Sequence, residues 1–80
     1  MSNSDIYITV KTFLIEEIEI EESIIIPDAR LKEDLGIESL DFVDIIVIVE
    51  KHFGFKIKPD EMNNVKTLQQ FCDYIESKIK

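Results

Sequence analysis

With 80 residues, 45% of them apolar, and only two glycines and two prolines, the chain is long enough for one small packed domain (residues 1–80) and too apolar to remain disordered. Its single cysteine excludes an internal disulfide, and one cysteine with one histidine cannot form an ordinary Cys/His zinc cluster. A formal charge of −8 opposes binding to nucleic acid or an anionic membrane; it fits either plain solvation or attraction to partners with basic patches. No apolar run reaches membrane-spanning length, and the N-terminus lacks the basic flank and apolar segment of a signal peptide, so a cytoplasmic location is expected.

Met1 to Ser4 is a polar lead-in from which Asn3 or Ser4 can cap a helix beginning near Asp5. Tyr7, Val10, Phe13 or Leu14, and Ile18 recur at helical spacing to about Ile20, with Glu16, Glu17, Glu19 and Glu21 between them. The β-branched content leaves strand as the alternative over Ile18 to Ile26. Residues Glu22 to Glu38 form a long connection, in which Pro27-Asp28 marks a turn and Ala29-Arg30-Leu31 a short turn of helix. Ile24, Ile25, Ile26, Leu31, Leu35 and Ile37 are expected to tie it across the core, and Gly36 frees the backbone just before Ser39.

The second helix is expected from Ser39 or Leu40 to His52 or Phe53, with Gly54 as its stop. At helical spacing Phe42, Ile45, Ile46, Val49 and Phe53 fall in one core-facing sector. Leu40, Val43, Asp44 and Val47 fall almost opposite, beginning beside Ser39. An apolar patch with an acidic rim fits a protein docking surface, unless a further helix covers it. Phe55 and Ile57 then cross the core, Pro59 opens a short helix from Asp60 to Asn64, and Thr67 with Gln70 forms a capping box for a last helix whose inner face is Leu68, Phe71, Cys72, Ile75 and Ile79. The fold class is all-α: a bundle of three longer helices and one short one, with a long loop between the first two.

The chemistry gathers at Ser39, where helix-start N–H groups favour a negative group on or beside the hydroxyl. A serine nucleophile needs a base within reach, and His52, thirteen positions along the same helix, is about 20 Å away. That distance argues against a self-contained hydrolase, and an autonomous esterase would show turnover without any added group. Asp34, Glu38, Asp41 and Asp44 have the chemistry to bind a cation weakly or to act as general acids or bases, but they lie at the rim of a small bundle without an evident cleft, which disfavours a catalytic pair. Cys72 and the phenylalanines read as core.

These residues resemble the acyl carrier protein family over nearly the whole chain: the first amphipathic helix, the long loop, Asp34-Leu35-Gly36-Ile37-Glu38-Ser39-Leu40, the second helix, Phe55-Lys56-Ile57, and Thr67-Leu68 opening the last helix. The resemblance implies that Ser39 carries covalent 4′-phosphopantetheine, attached by a carrier-protein synthase (a phosphopantetheinyl transferase) using coenzyme A, and that the chain is a monomeric carrier and not an enzyme. It further implies docking through Glu38, Leu40, Asp41, Val43, Asp44 and Val47 to acyl transferases, ketoacyl synthases and other acyl-processing enzymes with basic patches. Phe42, Ile45, Ile46 and Val49 are then the residues expected to line an acyl pocket. Three features depart from the family pattern: Glu38 stands for the usual Asp, Phe42 for a small polar residue, and Ile45 to Val49 is unusually β-branched. They leave fatty-acid, other lipid and polyketide pathways open, along with a D-alanyl or other specialised carrier. From the residues alone, an unmodified acidic interaction module is the remaining alternative.

Overall fold

The computed structural model describes residues 2–79; Met1, in the polar lead-in, and Lys80, at the end of the expected domain, lie outside them. Helix α1 spans Asn3–Glu16 and is capped by Ser2, whose hydroxyl oxygen accepts the Asp5 N–H at 3.2 Å. Both ends differ from the sequence expectation. The earlier start follows from Ser2 serving as the cap instead of Asn3 or Ser4. The earlier end has an electrostatic reason: the last turn has no basic residue, so Glu16, Glu17 and Glu19 would all meet the negative end of a longer helix. The chain instead leaves through Glu19 in the left-handed region (φ 63°), with the Ile20 N–H donating to the Leu14 carbonyl at 2.9 Å. Neither α-helix nor strand occupies Ile18 to Ile26; within it lies a single 3-10 turn, Glu22–Ile24.

The long connection is anchored by Ile25, Ala29, Leu31, Leu35 and Ile37, all buried. Ile24 and Ile26, expected inside, are 41% and 53% exposed, since turning Ile25 inward turns its neighbours out. The expected helical turn at Ala29-Arg30-Leu31 is replaced by an antiparallel bridge between Arg30 and Thr67. Beside it the Leu31 N–H donates to the Lys66 carbonyl, and the Leu68 N–H to the Ala29 carbonyl, each at 2.9 Å. These bonds tie the approach to Ser39 to the start of the last helix.

Helix α2 spans Ser39–Phe53 and ends at Gly54 (φ 77°), whose N–H donates to the Glu50 carbonyl. A six-residue 3-10 helix, Pro59–Asn64, follows, and α3 spans Leu68–Ile79. The expected capping box closes α3: Thr67 N–H donates to Gln70 Oε1 and Gln70 N–H to Thr67 Oγ1. α1 packs on α3, and Ile6, Val10, Phe13, Leu14, Leu68, Phe71, Cys72 and Ile75 make the centre of the core. On α2 the buried residues are Ile45, Ile48 and Val49, while Phe42, Ile46 and Phe53 are half-buried. Ile48 was not in the expected sector. The core wraps further round α2 on the side where His52 stacks on Phe13 of α1, with ring centroids 6.1 Å apart.

Candidate functional site

Ser39 is exposed and is the first residue of α2. Its position is fixed from behind by the turn that precedes it. The Asp34 carboxylate accepts the Arg30 backbone N–H at 2.8 Å and its Nε–H at 3.3 Å, which holds that carboxyl below the usual carboxylate range. Leu35 and Ile37 N–H groups close on Arg30 and Leu31 carbonyls, and Gly36 makes the turn with φ 68°. Asp34 is thereby committed to the loop and is not a free acid. Glu38 occupies the cap position in extended conformation, its N–H donating to Asp41 Oδ2 at 3.0 Å. Asp41 thus supports the helix start, and the Glu38 side chain completes the capping box on the Asp41 N–H, while the remaining first-turn amides retain the partial positive charge of an α-helix N-terminus.

Beside Ser39 lies a groove of about 430 Å³, within the range of small-molecule sites. One wall is Ser39, Phe42, Val43 and Ile46 from α2; the other is Pro59, Met62 and Asn63 from the 3-10 helix with Val65 and Lys66; Leu31, Lys32 and Glu33 close it. Among the four residues expected to form an acyl pocket, Phe42 and Ile46 line this groove. Ile45 and Val49 are packed in the core, 2% and 0% exposed, because they face across the bundle and not along its side. The second wall is not legible from local sequence. It arrives through the pairing of residues 29–31 with 66–68, and no local pattern announces a contact between segments so far apart in sequence.

Leu40, Val43 and Val47 are 81%, 59% and 60% exposed, and Asp44 beside them is exposed. No helix covers this face among the described residues. Glu38 is exposed at its start, and Asp41 is half-buried. His52 sits at the far end of α2, its Nε2 3.9 Å from Glu17 Oε2, and thus has no contact with Ser39. Burial pushes the Cys72 thiol up to about 12, so it is no thiolate at neutral pH. No group of three or more His, Cys, Asp or Glu among the described residues is placed to hold a metal ion, and none of their helices is long and apolar enough to cross a membrane.

The arrangement suits a covalent phosphate ester. Ser39 offers an exposed hydroxyl at a positive helix end, and two lysines, Lys32 and Lys66, line the groove beside it. Neither lysine is in an ion pair among the described residues. A family model described as a phosphopantetheine attachment site matches residues 9–75. A protein named acyl carrier protein from Thermosynechococcus vestitus is 33% identical, covering 99% of this chain and 98% of the relative. One of the same name from Thermotoga maritima is also 33% identical, covering 98% and 96%, and one from Guillardia theta is 32% identical, covering 99% and 98%.

Proposed function

The chain belongs to the acyl carrier protein family, with its covalently attached 4′-phosphopantetheine, and we propose that Ser39 is the point of attachment in this member. The observation that carries the reading is the exposed Ser39 hydroxyl at the first residue of α2, on the rim of an apolar-walled groove. When bound, the cofactor supplies a terminal thiol that holds an acyl group as a thioester. The residues of this chain do the rest. The first-turn amides of α2, with Lys32 and Lys66, counter the phosphodiester charge. Phe42, Ile46, Met62 and Val65 offer an apolar bed for an acyl tail, with Ile45 and Val49 supporting them from the core.

Leu40, Val43 and Val47 present apolar anchors, and Glu38, Asp41 and Asp44 give the acidic rim that steers basic partner surfaces toward them. Those partners are the phosphopantetheinyl transferase and then the acyl transferases and ketoacyl synthases of a fatty-acid, related lipid or polyketide pathway. The chain itself acts as their protein-bound substrate and not as a catalyst. The test is intact mass before and after incubation with coenzyme A and a broad-specificity carrier-protein synthase. One phosphopantetheine is expected on the parent and none on Ser39→Ala. No addition to a folded, initially unmodified parent, with a control carrier fully converted, overturns the proposal.

A further inference from the structure

The two walls of the groove are unequal. The α2 wall belongs to a fifteen-residue helix whose opposite flank is buried in the core, so it cannot move without disrupting Ile45, Ile48 and Val49. The facing wall is the Pro59–Asn64 3-10 helix, which has no side-chain cap and no fully buried residue. Short 3-10 segments have poor hydrogen-bond geometry and little stability of their own. Any widening of the groove therefore takes place on this side, and what fastens the short helix decides how far it goes.

Met62 packs half-buried against the core, and the remaining fastening is a three-residue polar cluster on the outer side of that wall. Glu61 Oε1 accepts the Tyr74 hydroxyl at 2.9 Å, and Glu61 Oε2 accepts the Lys78 ammonium at 2.9 Å. Both carboxylate oxygens are thus held by α3, from two residues one turn apart. The Lys58 N–H, just before the short helix, reaches the Tyr74 hydroxyl oxygen at 3.5 Å. The Lys78 ammonium lies 5.6 Å from the Tyr74 ring centroid, and Phe55 meets that ring edge-on at 6.2 Å. Such bonds fail beyond a displacement of a few tenths of an ångström to about 1 Å, so shifting the short helix relative to α3 strains or breaks the cluster.

We propose that Glu61, Tyr74 and Lys78 form a latch that sets how far the Pro59–Asn64 wall opens, and hence the longest acyl chain the groove admits. The three are positioning residues: only Met62, Pro59 and Asn63 on the latched helix line the groove, and the latch acts through them. This inference rests on the reading of the groove as an acyl bed.

The experiment loads the full chain at Ser39 with acyl-phosphopantetheine of graded length, from butyryl to hexadecanoyl, using acyl-coenzyme A and a carrier-protein synthase. Loading is verified by intact mass. Methyl NMR of Ile46 and Met62 then reports groove occupancy as shifts relative to the unacylated holo form. In the parent the shifts are expected to grow with chain length and then level off. In Glu61→Gln and in Tyr74→Phe the levelling point moves to longer chains, and Lys78→Arg, which keeps the cation, stays closer to the parent than Lys78→Gln. A change in global stability alone would alter melting without moving the levelling point. Length-dependent shifts in the parent with an unmoved levelling point in folded variants overturn the latch and leave the acyl bed standing. An absence of shifts at every length in a loaded parent overturns the acyl bed, and the latch falls with it.

Discussion

The starts of α2 and α3 are built from the same local devices and finished differently. At α3 Gln70 Oε1 accepts the Lys66 and Thr67 N–H groups, Thr67 Oγ1 accepts the Gln70 N–H, and the Leu68 and Gln69 N–H groups donate to the Ala29 and Pro27 carbonyls. Leu68 is fully buried there. At α2 the corresponding box joins Glu38 and Asp41, each side chain on the other's N–H, but no loop carbonyl among the described residues takes the Ser39 or Leu40 N–H, and Leu40 is 81% exposed. One helix start is consumed by the fold, and the other is held in place while its serine and first apolar residue stay outward. A closed start serves stability; an open one leaves hydrogen-bonding capacity and positive charge for something outside the chain.

Breaking the closed start should have the largest effect. Leu68→Ala removes a buried side chain where α3 meets the loop, and we expect a loss of about 2–5 kcal/mol, read by urea denaturation. Leu40→Ala, the same change at the open start, should leave stability within about 0.5 kcal/mol. It should instead slow phosphopantetheine transfer, because it removes an apolar anchor of the proposed docking face. Equal destabilisation by the two changes would erase the contrast between the helix starts. The next effect is Thr67→Ala, which removes one side of the α3 box at a loss of about 1 kcal/mol. Gly36→Ala belongs at a similar level, about 1 kcal/mol. Nothing lies within 4 Å of the added carbon and φ is +68°, so its whole effect is backbone strain in the turn that delivers Ser39, and crowding contributes nothing.

The same contrast explains what could be read from the residues. The bounds of α2, its Gly54 stop and the Thr67–Gln70 box are local, carried by neighbours a turn apart, and the sequence alone located them. So did the outward position of Leu40, Val43 and Val47, which follows from helical spacing once the inner stripe is known. The end of α1 falls short of the expected one because apolar spacing continues to Ile18 while the charge of Glu16, Glu17 and Glu19 opposes further helix; two signals conflict and the electrostatic one prevails. The second wall of the groove and the Glu61–Tyr74–Lys78 cluster were illegible for another reason. They depend on where the chain returns after α2, which is set by the Leu31–Lys66 pairing and by Ile57 in the core.

The smallest expected effect separates the support of the open start from the start itself. Asp34 is held below the ordinary carboxylate range chiefly by the Arg30 backbone N–H and then by its side chain. A depressed folded-state value means that the unfolded chain takes up the proton first as pH falls. The contribution of Asp34 is therefore complete above the unfolded value, near 3.8, and is lost as pH falls through the lower folded one. With a formal charge of −8, acidification from neutral pH also relieves repulsion across the whole surface, an effect of opposite sign. The measurement must therefore be a difference: urea midpoints of the parent and of Asp34→Asn, taken at matched pH from neutral to strongly acid. The gap should be steady until about pH 4 and close below it, since the variant has no charge to lose at this turn. A gap that stays constant to low pH would mean that the Arg30 turn is held by its backbone bonds alone, and that the ionised carboxylate adds nothing to the delivery of Ser39.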